Sequence, residues 1–209
     1  MKLYYSPGAC SLGIHVLLEE IGKPYQSELV NLREGAQYQP QFTAVNPKSK
    51  VPTLARDDGS ILTEFPAIAY WLARTNPEKH LLPDDPEGQA RALEAMDYVV
   101  ATMHMQGFAR IFRPENFAID ADDAAKEKVR ARGREIFEKG LALMDKALAG
   151  KEYLGGKDIN IADAALFYVE FWGAGRLKLD LPGNCAAHYK RMLARPAVKR
   201  VMEQEGLQG

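Results

Sequence analysis

The stretch Tyr4-Tyr5-Ser6-Pro7-Gly8-Ala9-Cys10-Ser11-Leu12-Gly13 decides the fold. A short apolar strand over residues 2–6 runs through the Pro7-Gly8 turn into a helix over Ser11 to Ile21, with Leu17, Leu18 and Ile21 on one face. Gly22, followed by Pro24, stops that helix. Cys10 therefore stands at a helix N-terminus, beside unpaired backbone N–H groups and the positive end of the helix dipole. Both favour the thiolate and are expected to lower the thiol pKa from its reference near ~8.5. The other reading is a small buried hydrophobe, the usual fate of a free cysteine. Position 13 is glycine, so no second thiol sits at Cys-x-x-Cys spacing. Dithiol exchange within one site is excluded, and any partner thiol must come from outside.

Outward from this stretch the chain alternates. Tyr25 to Leu32 reads as a second strand, and strand–helix–strand order implies parallel pairing with a right-handed crossover. Gln37 to Ala44 holds a short irregular helix before Asn46-Pro47. Val51 to Ala55 is a strand, Asp57-Asp58-Gly59 a hairpin turn, and Ser60 to Thr63 the returning strand. Glu64 then opens a helix with Pro66 in its first turn, where the missing N–H costs nothing, and Ile68, Trp71 and Leu72 form its apolar face. This βαβαββα order, with a thiol at the first helix N-terminus, is the thioredoxin-like pattern.

After it the composition shifts. The expected division is an α/β domain over residues 1–78, a linker rich in Pro and Asp over 79–86, and an all-helical domain over 87–209. A long helix is expected from 87 to about 112. Another should cover 121–149, with Phe137, Leu141, Met144 and Leu148 at the spacing of a buried stripe. Asn160-Ile161-Ala162-Asp163 reads as a capping box that opens a nearly all-apolar helix, Ala162 to Trp172. His188 to Leu193 and Ala197 to Glu205 supply the last helices.

Composition narrows the function classes. At 209 residues the chain buries roughly 70% of its unfolded surface, so neither a disulfide nor a metal is needed for stability. Lys plus Arg is 27 and Asp plus Glu 28, a net charge of −1, which argues against nucleic acid or an anionic membrane as partner. No apolar run approaches the ~20 residues of a membrane span, and the first residues enter a strand at once. Cys10 and Cys185 cannot make a disulfide framework, so a reducing cytoplasm fits best. His15, His80, His104 and His188 show no metal-ligand spacing, and no metal is expected. Cys185 lies in a late loop, where packing is its expected role.

Two further motifs bear on ligand binding. A proline opening a strand has no N–H for the ladder, and a cis Val51–Pro52 bond would turn the Val51 N–H and C=O toward a ligand lying alongside. A plain trans bond is the alternative. Glu64-Phe65-Pro66 sets a carboxylate beside a helix N-terminus, a corner suited to an amino-acid head with its own carboxylate and ammonium. An ordinary helix-start glutamate is the alternative there.

Taken together, Tyr4 to Ser11, Asn46-Pro47-Lys48 with Val51-Pro52, Leu62-Thr63-Glu64 and the Asn160 capping box resemble the glutathione S-transferase family over essentially the whole chain. Cys10, with a histidine in the first long helix, resembles its bacterial beta class. The resemblance implies glutathione as co-substrate, a hydrophobic electrophile as second substrate, and a homodimer. It implies that Cys10 and His104 face the glutathione sulfur. Val51 and Pro52 would hold the cysteinyl part, with Glu64 and the backbone N–H of Phe65 on the γ-glutamyl head and Asp97 reaching it from the partner subunit. Three positions depart from the family pattern. Phe65 replaces a small residue, Arg33 stands in for a lysine at the glycyl end, and Asp97 replaces an asparagine. The acceptor pocket is expected among Ala9, Phe108, Ile111, Phe112 and Phe117, with Trp172 and Arg176 closing one side. The expected function is conjugation of the glutathione thiolate to hydrophobic electrophiles, in detoxification. Thiol–disulfide reduction through a Cys10 mixed disulfide and ligand binding without turnover are the competing readings.

Overall fold

In the computed structural model, which describes residues 1–208, β1 (Lys2–Tyr5) lies inside a four-stranded sheet of order β2-β1-β3-β4. It pairs in parallel with β2 (Gln26–Leu29), from Lys2 opposite Gln26 to Tyr5 opposite Leu29, through the helix α1 (Ser11–Ile21). On its other side it pairs antiparallel with β3 (Thr53–Ala55), which makes a hairpin with β4 (Ile61–Thr63). The hairpin turns at Gly59, whose φ of 80° needs a residue without a Cβ. Strands β2 and β3 are shorter than the sequence pattern implies. After Leu29 the chain enters a 3₁₀ turn capped by Asn31, followed by another and by the short helix α2 (Pro40–Thr43). Pro52, in a cis peptide bond with Val51, offers no N–H to the ladder before Thr53.

Helix α1 is buried along most of its length, between the sheet, α3 (Phe65–Thr75) and helices of the second half of the chain. Gly13 explains how. A Cβ there would lie 2.5 Å from the Ala164 carbonyl oxygen and 2.8 Å from the Phe65 ring. The position that lacks a second thiol is thus the point where the two halves of the chain touch, and it admits nothing larger than glycine. One continuous core follows, from Leu3, Leu12 and Leu54 through Ile68 to Leu166, Phe167 and Val198.

The helical half begins at α4 (Pro86–Asp97), capped by the Asp85 carboxylate on the Gly88 N–H at 2.8 Å. It continues without a break through a π-helical stretch, Tyr98–Phe108, into α5 (Ala109–Phe112). The wider winding lies where this helix packs on α6 (Asp123–Ala147). Contact there is close: a Cβ on Gly140 would sit 2.4 Å from Met103 Cγ. Helix α7 (Ile161–Phe171) is buried on every face. Its capping box is formed: the Asp163 carboxylate accepts the Asn160 N–H at 2.8 Å, and the Asn160 side-chain oxygen accepts the Ala162 N–H at 2.8 Å. A π-helical turn, Trp172–Arg176, leads to α8 (Gly183–Ala194) and α9 (Pro196–Gln204). Among the described residues no helix is long and apolar enough to cross a membrane.

Candidate active site

The loop from Ser6 to Cys10 is fixed from both sides. Gly8, at φ 63°, donates its N–H to Glu205 Oε2 at 2.8 Å. Its carbonyl accepts from Trp172 Nε1 at 2.8 Å and from an Arg176 Nη at 2.9 Å. The other Glu205 oxygen meets His15 Nδ1 at 2.8 Å, with both side chains fully buried. The helical half of the chain therefore holds the turn that presents Cys10, although Glu205 is 197 residues away from Gly8.

Cys10 occupies the N-cap position of α1, and its Sγ lies 3.4 Å from the Val51 carbonyl oxygen. Its protonation reverses the sequence-based expectation. Burial of the thiol pushes its pKa up to about 12. The N–H groups of Cys10 and Ser11 and the charge of Lys50 pull the other way, and burial outweighs them. A helix N-terminus lowers a thiol pKa only when the thiolate keeps enough solvation, and at half-buried Cys10 the cost of burial is the larger effect. At neutral pH Cys10 is a thiol.

His104, in the π-helical stretch, packs edge-on against Trp172 at 4.7 Å between ring centroids. Its Nδ1 lies 3.4 Å from the Tyr168 hydroxyl. Burial among these rings, helped by Lys50, pushes its pKa down to about 4, so the imidazole is neutral at pH 7. Tyr168 itself is fully buried, its pKa raised by burial and by the nearby Cys10. Cys10, His104 and Tyr168 thus share one corner, within the positive field of Lys50.

The remaining predicted residues divide. Val51, buried at 8% exposure, joins Tyr4, Val30 and Phe42 in a small cluster that Ala9 packs against. Glu64 is the N-cap residue of α3 with φ 70°, and its carboxylate meets Lys48 Nζ at 2.8 Å. The Phe65 side chain points away from Glu64 and Lys48 and into the core. Its ring is buried between Gly13 and Tyr168, 5.4 Å from the latter, leaving its backbone at the start of α3. Arg33 is exposed in the loop after β2, and its charge reaches Arg176. Asp97 is exposed at the end of α4.

Of the aromatic group, Phe108 stacks on Trp172 at 4.1 Å and on Phe112 at 5.6 Å, and Phe112 is 55% exposed. These three rings form a shelf. Ile111 instead faces α6, close to Gly133, and Phe117 lies under the Arg110 guanidinium at 4.3 Å. Cys185 lies in the first turn of α8 rather than in a loop, because the helix starts at Gly183, and it is fully buried with Sγ 3.5 Å from the Leu141 carbonyl.

Sequence reasoning passed over Lys48, Lys50, Tyr168 and Glu205. The lysines alternate in Lys48-Ser49-Lys50-Val51, next to a motif already singled out, and that adjacency was the available signal. Tyr168 is one apolar residue among many in α7, and Glu205 is a charge near the chain end. Neither position carries a local mark of its role.

Comparison with known proteins agrees with this fold. The model of the glutathione S-transferase N-terminal domain matches residues 8–75, and that of the C-terminal domain residues 127–191. The fold and its thiol-bearing corner define a two-domain transferase of thioredoxin-like type. The chain belongs to the glutathione S-transferase family. It is 38% identical over 211 residues to glutathione S-transferase GstA of Escherichia coli O157:H7, covering 99% of this chain and 100% of that one. A glutathione transferase homolog from Sulfitobacter, solved with bound glutathione, superposes with a TM-score of 0.87 at 30% identity, covering 99% and 98% of the two chains. The beta-class enzyme of Sphingomonas chungbukensis gives a TM-score of 0.84 at 32% identity, with both chains fully covered.

Proposed function

We propose that this enzyme conjugates the thiolate of glutathione to hydrophobic electrophiles, with the 1–78 domain holding glutathione and the 87–209 domain the electrophile. The single observation that carries this reading over disulfide exchange is the placing of Cys10, a lone half-buried thiol whose Sγ–H is directed at the Val51 carbonyl oxygen at 3.4 Å. Such a thiol at about 12 is a poor nucleophile at neutral pH, yet a competent S–H donor to a second, anionic sulfur. His104, neutral and fixed against Trp172, supports the same thiolate as a hydrogen-bonding group rather than as a base. Lys50 supplies positive potential to both.

In this reading the Val51 carbonyl and N–H hold the cysteinyl backbone. The free N–H of Phe65 takes the γ-glutamyl carboxylate, and Glu64 takes the ammonium in place of Lys48. Asp97 reaches that ammonium in the neighbouring subunit of a homodimer, and Arg33 takes the glycyl carboxylate. The thiol proton leaves to solvent, the thiolate forms the new carbon–sulfur bond, and the leaving group departs with its electron pair. Binding both reactants in one corner supplies proximity. A cytoplasmic detoxifying role fits this chemistry.

The test combines Cys10→Ser, Cys10→Ala and treatment with oxidised glutathione. Conjugation of 1-chloro-2,4-dinitrobenzene should survive Cys10→Ser and fall about tenfold in Cys10→Ala, the effect of one hydrogen bond to an anion. Intact mass after oxidised glutathione at neutral pH should show no adduct. A stoichiometric mixed disulfide, with reductase activity abolished in both variants, would establish the thiol–disulfide reading instead. Binding without turnover of any electrophile would establish the sequestering one.

A further inference from the structure

Once glutathione is accounted for, a cation beside the aromatic shelf has no anion to meet. On the proposed reading, the glycyl carboxylate goes to Arg33 and the γ-glutamyl carboxylate to the start of α3. The thiolate lies in the field of Lys50. Arg176 is left over. One of its N–H groups is engaged by the Gly8 carbonyl at 2.9 Å. Among the described residues no carboxylate lies within ion-pair distance of it, and Glu205, on the other side of Gly8, is taken up by His15 and the Gly8 N–H. The guanidinium sits over the exposed ring of Phe112, 5.8 Å from its centroid, at the edge of the Phe112–Phe108–Trp172 shelf. Arg33 is near enough for the two positive charges to work against each other, and an anion held at Arg176 would offset that repulsion.

We propose that Arg176 recognises a carboxylate on the electrophile, so that the preferred acceptors are flat aromatic or conjugated electrophiles bearing an acid group rather than neutral arenes. The inference rests on the conjugation reading above and adds the substrate class. The shelf supplies stacking for the flat part, and the planar guanidinium offers paired N–H donors matched to a carboxylate. Gly8 lies two residues before Cys10, so an acid held at Arg176 places the reactive carbon of a ring-sized acceptor at the thiol corner.

The experiment compares 4-chloro-3,5-dinitrobenzoate with its neutral isostere 4-chloro-3,5-dinitrobenzamide, each normalised to its uncatalysed reaction with glutathione. The unaltered enzyme should favour the acid about tenfold in kcat/KM, and Arg176→Gln should abolish that preference while Arg176→Lys keeps part of it. Any loss from freeing the Gly8 loop affects both substrates and cancels in the ratio. The KM for glutathione should stay within about twofold. An acid-to-amide ratio near one in the unaltered enzyme overturns the proposal. So does a ratio that survives Arg176→Gln, or a glutathione KM that rises instead, which would make Arg176 a glycyl contact. If neither compound is turned over, the conjugation reading fails by itself. The two preformed glutathione adducts then decide by titration calorimetry, which needs no turnover. Equal affinity of acid and amide adducts overturns the proposal, and tighter binding of the acid adduct, lost in Arg176→Gln, sustains it.

Discussion

His188 and His104 are both enclosed by the helical half of the chain, and their surroundings drive them in opposite directions. His188 on α8 lies between two carboxylates of α7, with Nδ1 2.8 Å from Glu170 and Nε2 3.2 Å from Asp163. Those charges overcome burial and raise its pKa to about 9. His104 faces Trp172 and Tyr168, with no carboxylate to balance its burial, and falls to about 4. Burial alone neutralises a histidine, and a facing carboxylate keeps it charged. The ion-paired site ties helices together. The unpaired one is left next to a reactive corner, where a neutral ring tolerates a nearby cation and can serve a thiolate.

The contrast can be broken in order of expected effect. His188→Ala leaves Asp163 and Glu170 buried without their cation and should lower the unfolding free energy by about 3–5 kcal/mol in urea titrations. A loss under about 1 kcal/mol would mean that the two carboxylates do not depend on it. Glu205→Ala strips both His15 and the Gly8 N–H, and should cost about 2–3 kcal/mol. It should also loosen the Cys10 loop, seen as faster hydrogen exchange at Gly8.

The pH dependence comes next. The folded pKa of His188 lies above its unfolded value near 6.5, so its contribution is complete below that value and is lost as pH rises through about 9. Glu170, raised to about 7 by burial, has the same sign, but its contribution is lost between about 4.5 and 7 and belongs to a lower window. Stability should therefore fall by about 2 kcal/mol between pH 7 and 9. His188→Gln, less stable throughout, should show a shallower slope, and identical slopes would contradict the assignment. The smallest effect on stability belongs to His104→Gln, under about 1 kcal/mol by thermal melting. Its conjugation rate should nonetheless drop severalfold with the acid limb of the pH profile unmoved, because a group at about 4 does not titrate near neutrality. An acid limb that disappeared in this variant would make His104 a working base.

The sequence carried the local elements well. Proline and glycine punctuation delimited α1 and α3, the Asp57–Gly59 turn located the hairpin, and Asn160 and Asp163 spelled out a capping box. Each of these depends on residues a few positions apart. What depended on long-range enclosure was read less well. Phe65 looked like an alteration of the glutamyl corner, and it proves to fill the contact between Gly13 and Tyr168. Ile111 and Phe117, expected along the acceptor pocket, also touch α6 and Arg110, contacts that no local pattern announces.

Cys10 draws the line between the two levels. By itself the sequence determined that one thiol stands at the head of the first helix, without a second at dithiol spacing. Chain connectivity and turn chemistry fix that much. Only the tertiary structure decided the balance at that thiol, because its pKa depends on how far the folded chain removes it from water. Desolvation by distant residues outweighs the helix terminus, and the position that looked like a thiolate holds its proton.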